Sequence, residues 1–259
     1  MISIHHEDYG EGYPIVLLHG FCETLKIWRG IAIKLSDTFR VMIPDLPGFG
    51  DSPLLQRPFS IEDVGRAIFR WMDDLRVPES VVIGHSLGGY VALAMARINP
   101  ERLAGIGLFH STAYPDNHEK KTNRNKTIGF VRSHGVAPFV ETFVPGLFHQ
   151  KDNPGVALVH EMAMATTVST LVSYAEAMRD RPSSVDVLEN FPRPILMVAG
   201  EQDAITPYGP SSEQTAKMRF PFFKGLTNVG HMGMFENEQE SLLSIRDFAA
   251  IAIDFGKRA

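Results

Sequence analysis

Short apolar runs alternate with longer amphipathic segments along most of the chain. The apolar runs predict strands at residues 14–18, 39–44, 80–83, 103–109, 194–199 and, more weakly, 220–223. Runs of this length without polar alternation are typical of strands that are buried on both faces, as in a parallel sheet.

Segments with helical periodicity separate these runs. From Ser60 onward, apolar side chains recur every three or four residues as far as Leu75; Ser60 is a good N-cap, and Pro78 ends the element. Segments 86–98 and 239–255 are also predicted helices. Alternating strands and helices predict βαβ units, and therefore an α/β fold with a mostly parallel central sheet and helices on both of its faces.

The alternation fails between the fourth and fifth of these strands. This part of the chain contains only helical stretches, near residues 119–134, 137–143, 155–165 and 168–181. We therefore predict a core formed by residues 1–111 and 187–259, with a helical cap inserted at residues 112–186.

Composition and charge narrow the possible partners. The chain has 259 residues, of which 44% are hydrophobic and 21% are charged, as in ordinary globular proteins. Its formal net charge of −5 provides no positive field for a phosphate backbone, so we expect no nucleic-acid partner. A single cysteine, Cys22, excludes an intrachain disulfide. Because we see no leader sequence and no apolar run long enough for a bilayer, we expect a cytoplasmic protein without a membrane partner.

The segment Gly84-His85-Ser86-Leu87-Gly88 carries the first candidate chemistry. It matches the pattern G-x-S-x-G and lies between a predicted strand and an alanine-rich predicted helix. In this context the pattern predicts a nucleophile elbow, a tight turn that presents the serine hydroxyl at a helix N-terminus. We therefore predict Ser86 as the nucleophile and the backbone N–H of Leu87 as one donor to an oxyanion.

Together with the elbow, four further segments resemble the α/β-hydrolase superfamily. In chain order they are Leu18-His19-Gly20-Phe21, Asp45-Leu46-Pro47-Gly48-Phe49-Gly50-Asp51-Ser52, Gly200-Glu201-Gln202-Asp203 and Gly230-His231. The resemblance extends over nearly the whole chain and implies the α/β-hydrolase fold. Because the nucleophile is a serine and not an aspartate, the sequence argues against dehalogenase and epoxide-hydrolase chemistry.

The superfamily's order of nucleophile, acid and histidine identifies the remaining members of a triad. His231 lies in a glycine-rich loop before the last predicted helix and is the expected base, while Asp203 follows the strand at 194–199 and is the expected acid. Glu201 and Asp116 are the alternatives for the acid. By resemblance, His19 braces the oxyanion loop and is not catalytic.

The resemblance also implies that the backbone N–H of Phe21 is the second oxyanion donor. We expect substrate contacts from residues beside these loops and from apolar side chains of the insertion, namely Phe21, His85, Phe143, Met162 and Met232. Packing in the core is the alternative for the residues of the insertion.

Cys22 and a cluster of basic residues each allow a structural and a functional interpretation. Cys22, beside the oxyanion loop, is expected to be structural or to line the pocket, and a nucleophilic role is the alternative. The basic cluster of Lys120, Lys121, Arg124 and Lys126 is expected to form a solvated face, and attraction of an acidic substrate is the alternative.

The predicted function is hydrolysis of a small carboxylic ester or lactone through an acyl-enzyme, with no cofactor and no metal. The loops resemble those of esterases and 3-oxoadipate enol-lactonases. One alternative is another serine-triad activity, such as hydrolysis of a C–C bond or a thioester, or cofactor-free perhydrolysis. The other is a non-catalytic receptor for a small ligand. The sequence leaves the acyl group, the alcohol group and the oligomeric state open.

Overall fold

Seven strands form one mixed sheet in the computed structural model, which describes residues 3–258. The strands are β1 (His6–Tyr9), β2 (Pro14–Leu18), β3 (Arg40–Pro44), β4 (Ser80–His85), β5 (Leu103–Phe109), β6 (Ile195–Gly200) and β7 (Pro221–Leu226). Their order across the sheet is β1-β3-β2-β4-β5-β6-β7. Only β1 is antiparallel to its neighbour, so the predicted mostly parallel sheet is confirmed.

Eleven α-helices accompany these strands within residues 3–258. They are α1 (Arg29–Leu35), α2 (Ile61–Asp74), α3 (Leu87–Ile98), α4 (His118–His134), α5 (Ala137–Leu147), α6 (Gly155–Met164), α7 (Val168–Asp180), α8 (Val185–Asn190), α9 (Tyr208–Gln214), α10 (Gly233–Glu236) and α11 (Glu238–Arg258). Helix α3 packs against β2, β4 and β5, and α2 packs against α3. Helices α1 and α11 contact each other and pack against β3 and against β4, β5 and β7 respectively. The sheet is therefore covered by helices on both faces, as predicted.

The central strands hold the core of the molecule. Every residue of β4, β5 and β6 is buried, because helices cover both faces of a parallel sheet. Helix α2 begins with the predicted cap: Ser60 Oγ accepts a hydrogen bond from the Asp63 amide at 3.2 Å, and the Asp63 carboxylate accepts one from the Ser60 amide at 2.9 Å.

Helices α4 to α8 lie between β5 and β6, and the structure has no strand within that stretch. Helix α4 packs against α7, and α5 packs against α6. The division into a core at 1–111 and 187–259 and a cap at 112–186 stays a prediction, and residues 1, 2 and 259 lie outside the described residues. Within residues 3–258, no single helix is long and apolar enough to cross a membrane, although α6 and α7 pass that test together as a pair bent by 101°.

A buried ion-pair network joins the two ends of this helical insertion. The Asp116 carboxylate accepts hydrogen bonds from Arg124 at 3.0 Å and from Arg181 at 2.8 Å. The Arg181 guanidinium also stacks on the Tyr90 ring of α3, 3.9 Å from its centroid. Asp116 therefore joins the two ends of the insertion, with both carboxylate oxygens engaged, and Arg181 contacts the core through Tyr90.

Candidate active site

Ser86 occupies a strained turn between β4 and α3. Its backbone has φ 49° and ψ −111°, in a region that non-glycine residues seldom adopt. A Cβ atom on Gly84 would collide with the backbone of Gly88, and one on Gly88 would lie 2.5 Å from the Leu18 carbonyl oxygen. The two glycines of the pattern are therefore required by close backbone approach. The turn is held by the Ser86 amide, which donates to the Phe109 carbonyl at 2.9 Å.

The Asp203 carboxylate lies against the imidazole of His231. Asp203 Oδ2 is 2.8 Å from His231 Nδ1, and it also accepts a hydrogen bond from the Thr206 hydroxyl at 2.7 Å. Its other oxygen accepts the backbone amides of Ile205 at 2.8 Å and Thr206 at 2.9 Å. Burial alone would raise the pKa of Asp203, but His231 and a second histidine, His110, hold that pKa well below its usual range. The group is therefore a buried anion with a fixed orientation.

The two alternative acids have other partners. Glu201 is exposed, and its carboxylate accepts a hydrogen bond from Thr227 at 3.3 Å. Asp116 is engaged by Arg124 and Arg181. Among the described residues, Asp203 is the only acidic side chain that is hydrogen-bonded to the His231 ring.

The loop that carries His231 is fixed from two sides. The His231 amide donates to the Leu147 carbonyl at the end of α5 at 2.8 Å. The buried Glu236 carboxylate accepts the amides of Gly230 at 2.9 Å, His149 at 2.6 Å and Gln150 at 2.8 Å. Within residues 3–258, no hydrogen bond joins the Ser86 hydroxyl to the imidazole. In unliganded enzymes such catalytic hydrogen bonds are often long and shorten when substrate binds.

Two backbone amides beside the elbow are unpaired. The tight contact between Gly88 and the end of β2 brings α3 beside the loop of Phe21. Both Phe21 and Leu87 are buried, and neither backbone N–H has a hydrogen-bond partner among the described residues. Buried unpaired N–H groups are rare in folded proteins, so two of them beside a strained serine suit an oxyanion.

An aromatic cluster joins the Phe21 loop to the helical insertion. The Phe21 ring makes edge contacts with Phe143 of α5 at 6.0 Å and with Phe139 at 6.5 Å between centroids. Phe139 and Phe143 stack on each other at 4.9 Å and are half-buried. Two of the expected substrate-contacting residues, Phe21 and Phe143, therefore lie together beside the unpaired amides.

The other three expected substrate-contacting residues lie deeper. Met162 and Met232 are buried, and the Thr24 hydroxyl contacts the Met162 sulfur at 2.9 Å. The His85 ring is fully buried, and both of its nitrogens are hydrogen-bonded to protein groups. The two methionines therefore pack in the interior, and His85 is held by hydrogen bonds to protein groups. Their direct contact with a substrate stays a prediction.

Cys22 and the basic cluster have ordinary surroundings. Cys22 is buried, and burial raises the pKa of its thiol, which disfavours the thiolate that a nucleophile requires. Three members of the cluster, Lys120, Lys121 and Lys126, are exposed, while Arg124 is turned towards Asp116.

His110, at the end of β5, was not among the predicted site residues. Its Nδ1 lies 3.1 Å from Asp203 Oδ2, while its buried Nε2 has no hydrogen-bond partner. Burial lowers the pKa of His110 to about 4, so the ring is neutral and donates from Nδ1. A signal for it exists in the sequence, because side chains that follow parallel strands collect at one edge of the sheet.

The donor atoms of His110, Asp203 and His231 lie within 4.8 Å of one another, a spacing that a metal ion could bridge. The same is true of the His5, Asp45 and Asp51 cluster elsewhere. In the first group, the atoms that face one another already share hydrogen bonds. The expectation of no metal and no cofactor stays a prediction.

Comparison with known proteins identifies the class. Residues 13–238 match the family model of the alpha/beta hydrolase fold. The chain therefore belongs to the α/β-hydrolase family, and the resemblance inferred from the sequence is confirmed.

Three of the proteins that are similar to the chain are an esterase of known sequence and two hydrolases of known structure. A pimeloyl-[acyl-carrier protein] methyl ester esterase of Neisseria meningitidis is 30% identical over 203 residues, which are 74% of this chain and 76% of that protein. The structure of a thermophilic esterase from Thermogutta terrifontis matches with a TM-score of 0.92 and 30% identity, covering 97% of this chain and 94% of the other. The enol-lactonase of Burkholderia xenovorans matches with a TM-score of 0.88 at 21% identity, covering 96% and 97%, and shares the fold.

Proposed function

We propose that this protein is a serine hydrolase that cleaves small carboxylic esters or lactones through an acyl-enzyme. The observation that carries the proposal is the 2.8 Å contact between Asp203 and His231, next to the strained Ser86 turn. The esterase and lactonase relatives support the class of bond that is cleaved. The cytoplasmic location stays a prediction.

In the proposed mechanism, Ser86 Oγ attacks the carbonyl carbon of the substrate while His231 accepts the hydroxyl proton. Asp203 holds the imidazole in one tautomer and stabilises the imidazolium. The amides of Phe21 and Leu87 donate to the tetrahedral oxyanion. His231 then returns the proton to the leaving alcohol, and a water molecule, activated by the same histidine, hydrolyses the acyl-enzyme.

We also propose that residues 112–186 act as a cap over this machinery. The aromatic cluster formed by Phe21, Phe139 and Phe143 supports this role, because it joins the insertion to the loop of an oxyanion donor. Apolar rings at that position favour a substrate with an apolar acyl or alcohol group.

Replacement of Ser86 by alanine tests the proposal. We expect hydrolysis of p-nitrophenyl esters to fall on the order of 10⁶-fold, because the loss of the nucleophile of a coupled triad removes most of its effect. A fluorophosphonate probe should label the wild-type protein at Ser86 and leave the variant unlabelled, as read by peptide mass spectrometry.

Ser80→Ala is the matched control. Ser80 is the first residue of β4, the strand that leads into the Ser86 turn. It is buried, and its hydroxyl has no hydrogen-bond partner in the described part of the chain. This variant should keep both turnover and labelling. Labelling at Cys22, or full activity of Ser86→Ala, would contradict the proposal.

A further inference from the structure

Glu23 and His85 form a buried pair that contacts three loops of the site. Glu23 Oε2 accepts the Gly20 amide at 2.6 Å and lies 2.9 Å from His85 Nδ1. The other ring nitrogen, His85 Nε2, lies 2.9 Å from the carbonyl oxygen of His231. Glu23 is 2% exposed and His85 is fully buried. One continuous chain of hydrogen bonds therefore runs from the oxyanion loop, through the residue before Ser86, to the histidine loop.

Both nitrogens of the His85 ring face acceptors. A neutral imidazole carries a single N–H, so it can satisfy only one of these two contacts as a donor. His19 is the internal comparison: its Nε2 accepts the Leu46 amide at 2.8 Å and its Nδ1 faces the Gly20 carbonyl at 2.8 Å, as a neutral ring requires. The His85 geometry instead needs one more proton, which the ring shares with the Glu23 carboxylate.

The groups around His85 and Glu23 favour the protonated form of the His85 ring. Burial alone would lower the pKa of His85, but the Glu23 carboxylate, the His231 carbonyl and the more distant Asp203 raise it. Burial would likewise raise the pKa of Glu23, which His85 and the hydrogen bond from the Gly20 amide instead lower. The other titratable groups nearby are His19 and the rings of His231, 4.8 Å away between centroids, and His110, 6.1 Å away. The apolar rings of Trp28 and Phe109 pack on His85 as well.

From this geometry, and resting on the proposed function, we propose that Glu23 and His85 are a protonated positioning pair for the catalytic loops. The pair fixes the separation between the Phe21 oxyanion donor, the Ser86 elbow and the His231 ring. Neither side chain touches the substrate in this proposal. Both act through the loops to which they are hydrogen-bonded, and a displacement of about 1 Å in such loops can cost about 10²-fold in rate.

Loss of the shared proton breaks this chain of contacts. Once His85 has a single N–H, either the Glu23 carboxylate or the His231 carbonyl faces a lone pair of the ring. The Glu23 carboxylate raises the pKa of His85, so the ring keeps its second proton to a higher pH than an ordinary histidine does. The fall in kcat is therefore expected on the alkaline side of the pH profile.

Nitrogen NMR of the wild-type protein tests the protonation state directly. The signals of His85, assigned by their loss in His85→Gln, should report two protonated ring nitrogens at pH 7.5, about one unit above the ordinary histidine pKa. A single protonated nitrogen at that pH overturns the proposal. This measurement does not depend on ester turnover, so it separates failure of this pair from failure of the proposed hydrolase activity.

Glu23→Gln tests the positioning role. The glutamine keeps an oxygen for the Gly20 amide but removes the charge opposite His85. We expect kcat for p-nitrophenyl acetate to fall about 10²-fold with little change in KM, and the alkaline limb to move to lower pH. If Glu23→Gln changes neither kcat nor the alkaline limb of the pH profile, the positioning role is wrong. His85→Gln, measured in parallel, should abolish the alkaline limb.

Asp116→Asn is the matched control for loss of a buried ion pair. Its carboxylate is also buried and paired, with Arg124 and Arg181, but it lies at the base of the insertion. We expect this variant to lower the melting temperature without moving the alkaline limb. If Asp116→Asn moves the limb as far as Glu23→Gln does, the effect is one of general destabilisation and the proposal is wrong.

Discussion

At the scale of single residues, Asp203 combines two functions in its two carboxylate oxygens. One oxygen is held by the amides of Ile205 and Thr206 in its own loop. The other accepts the Thr206 hydroxyl and faces His110 and His231. The loop therefore fixes the orientation of the anion independently of its histidine partners, which is the preorganisation that a triad requires.

Asp203→Asn tests this role of the carboxylate. The amide keeps the size of the side chain but favours the wrong tautomer of His231, so we expect kcat to fall roughly 10⁴-fold. Glu201→Gln is the control, because Glu201 is exposed and bonded to Thr227, and it should retain turnover. Steady-state kinetics on one ester, measured for both variants, give the two values of kcat to be compared. Equal losses in the two variants would mean that the acid was wrongly assigned.

At the scale of secondary-structure elements, the sequence predicts six of the seven strands, including the edge strand β7, and misses the edge strand β1. All six predicted strands are present, with ends that differ by a few residues. The seventh, β1, has the polar sequence His-Glu-Asp-Tyr and pairs only with β3 at the sheet edge, so no apolar run marks it. Short helices such as α1, α8 and α9 carry too few turns for a clear periodicity.

The same limit applies to the site. The elbow and the loops after strands are local patterns, so Ser86, Asp203 and His231 could be selected from the sequence. The specific contacts around those residues could not be predicted, although the position of His110 after a parallel strand places it at the same edge of the sheet. Glu23 and His85 are 62 residues apart, and His110 and Asp203 are 93 apart. No local pattern encodes such contacts, because the sheet order alone brings these loops together.

The helical insertion also contacts the loop of His231 through its backbone. Leu147 is the last residue of α5, and His149 and Gln150 follow it. All three are hydrogen-bonded to the segment from Gly230 to Glu236. A change in this part of the insertion therefore affects the position of His231, whereas a change in the aromatic cluster affects the space beside Phe21. The two parts of the insertion are expected to control different kinetic properties.

Phe143→Ala tests the second of these effects. Removal of one ring from the stacked pair enlarges the space beside Phe21, so we expect the ratio of kcat/KM for medium-chain to short-chain esters to change about 10-fold, within the ~1–3 kcal/mol that such misfits are worth. Phe130→Ala is the control, because Phe130 lies on the same insertion but is exposed and stacks on His134. If well-folded Phe143→Ala loses all esters equally, the cap contributes to the chemistry itself.

At the scale of the whole molecule, two buried histidines hold opposite protonation states at the same edge of the sheet. His110 is neutral because burial outweighs the attraction of Asp203 and lowers its pKa to about 4. For His85, the attraction of Glu23 outweighs burial and raises the pKa. Because both differ from the unfolded chain, each makes the free energy of unfolding depend on pH, with opposite signs.

We expect the free energy of unfolding to fall on both sides of neutral pH. The unfolded chain binds a proton at His110 near pH 6.5, whereas the folded chain does so only near pH 4. This contribution is complete above pH 6.5 and is lost as the pH falls towards 4, by an amount on the order of 3 kcal/mol. The contribution of His85 has the reverse sign: it is complete below pH 6.5 and is lost as the pH rises through the raised folded pKa.

Urea denaturation between pH 4.5 and 9.5 measures both effects. His110→Asn keeps an N–H near the position of Nδ1 but does not titrate, so it should flatten the acid side of the stability curve and leave the alkaline side unchanged. His85→Gln should do the reverse. The Asp203 carboxylate contributes little over this range, because the ordinary aspartate pKa of about 3.9 and the still lower pKa of folded Asp203 both lie below pH 4.5. If His110→Asn loses as much stability as the wild-type protein between pH 6.5 and 4.5, the neutral buried histidine is not the cause of the acid limb, and other groups in the core must carry it.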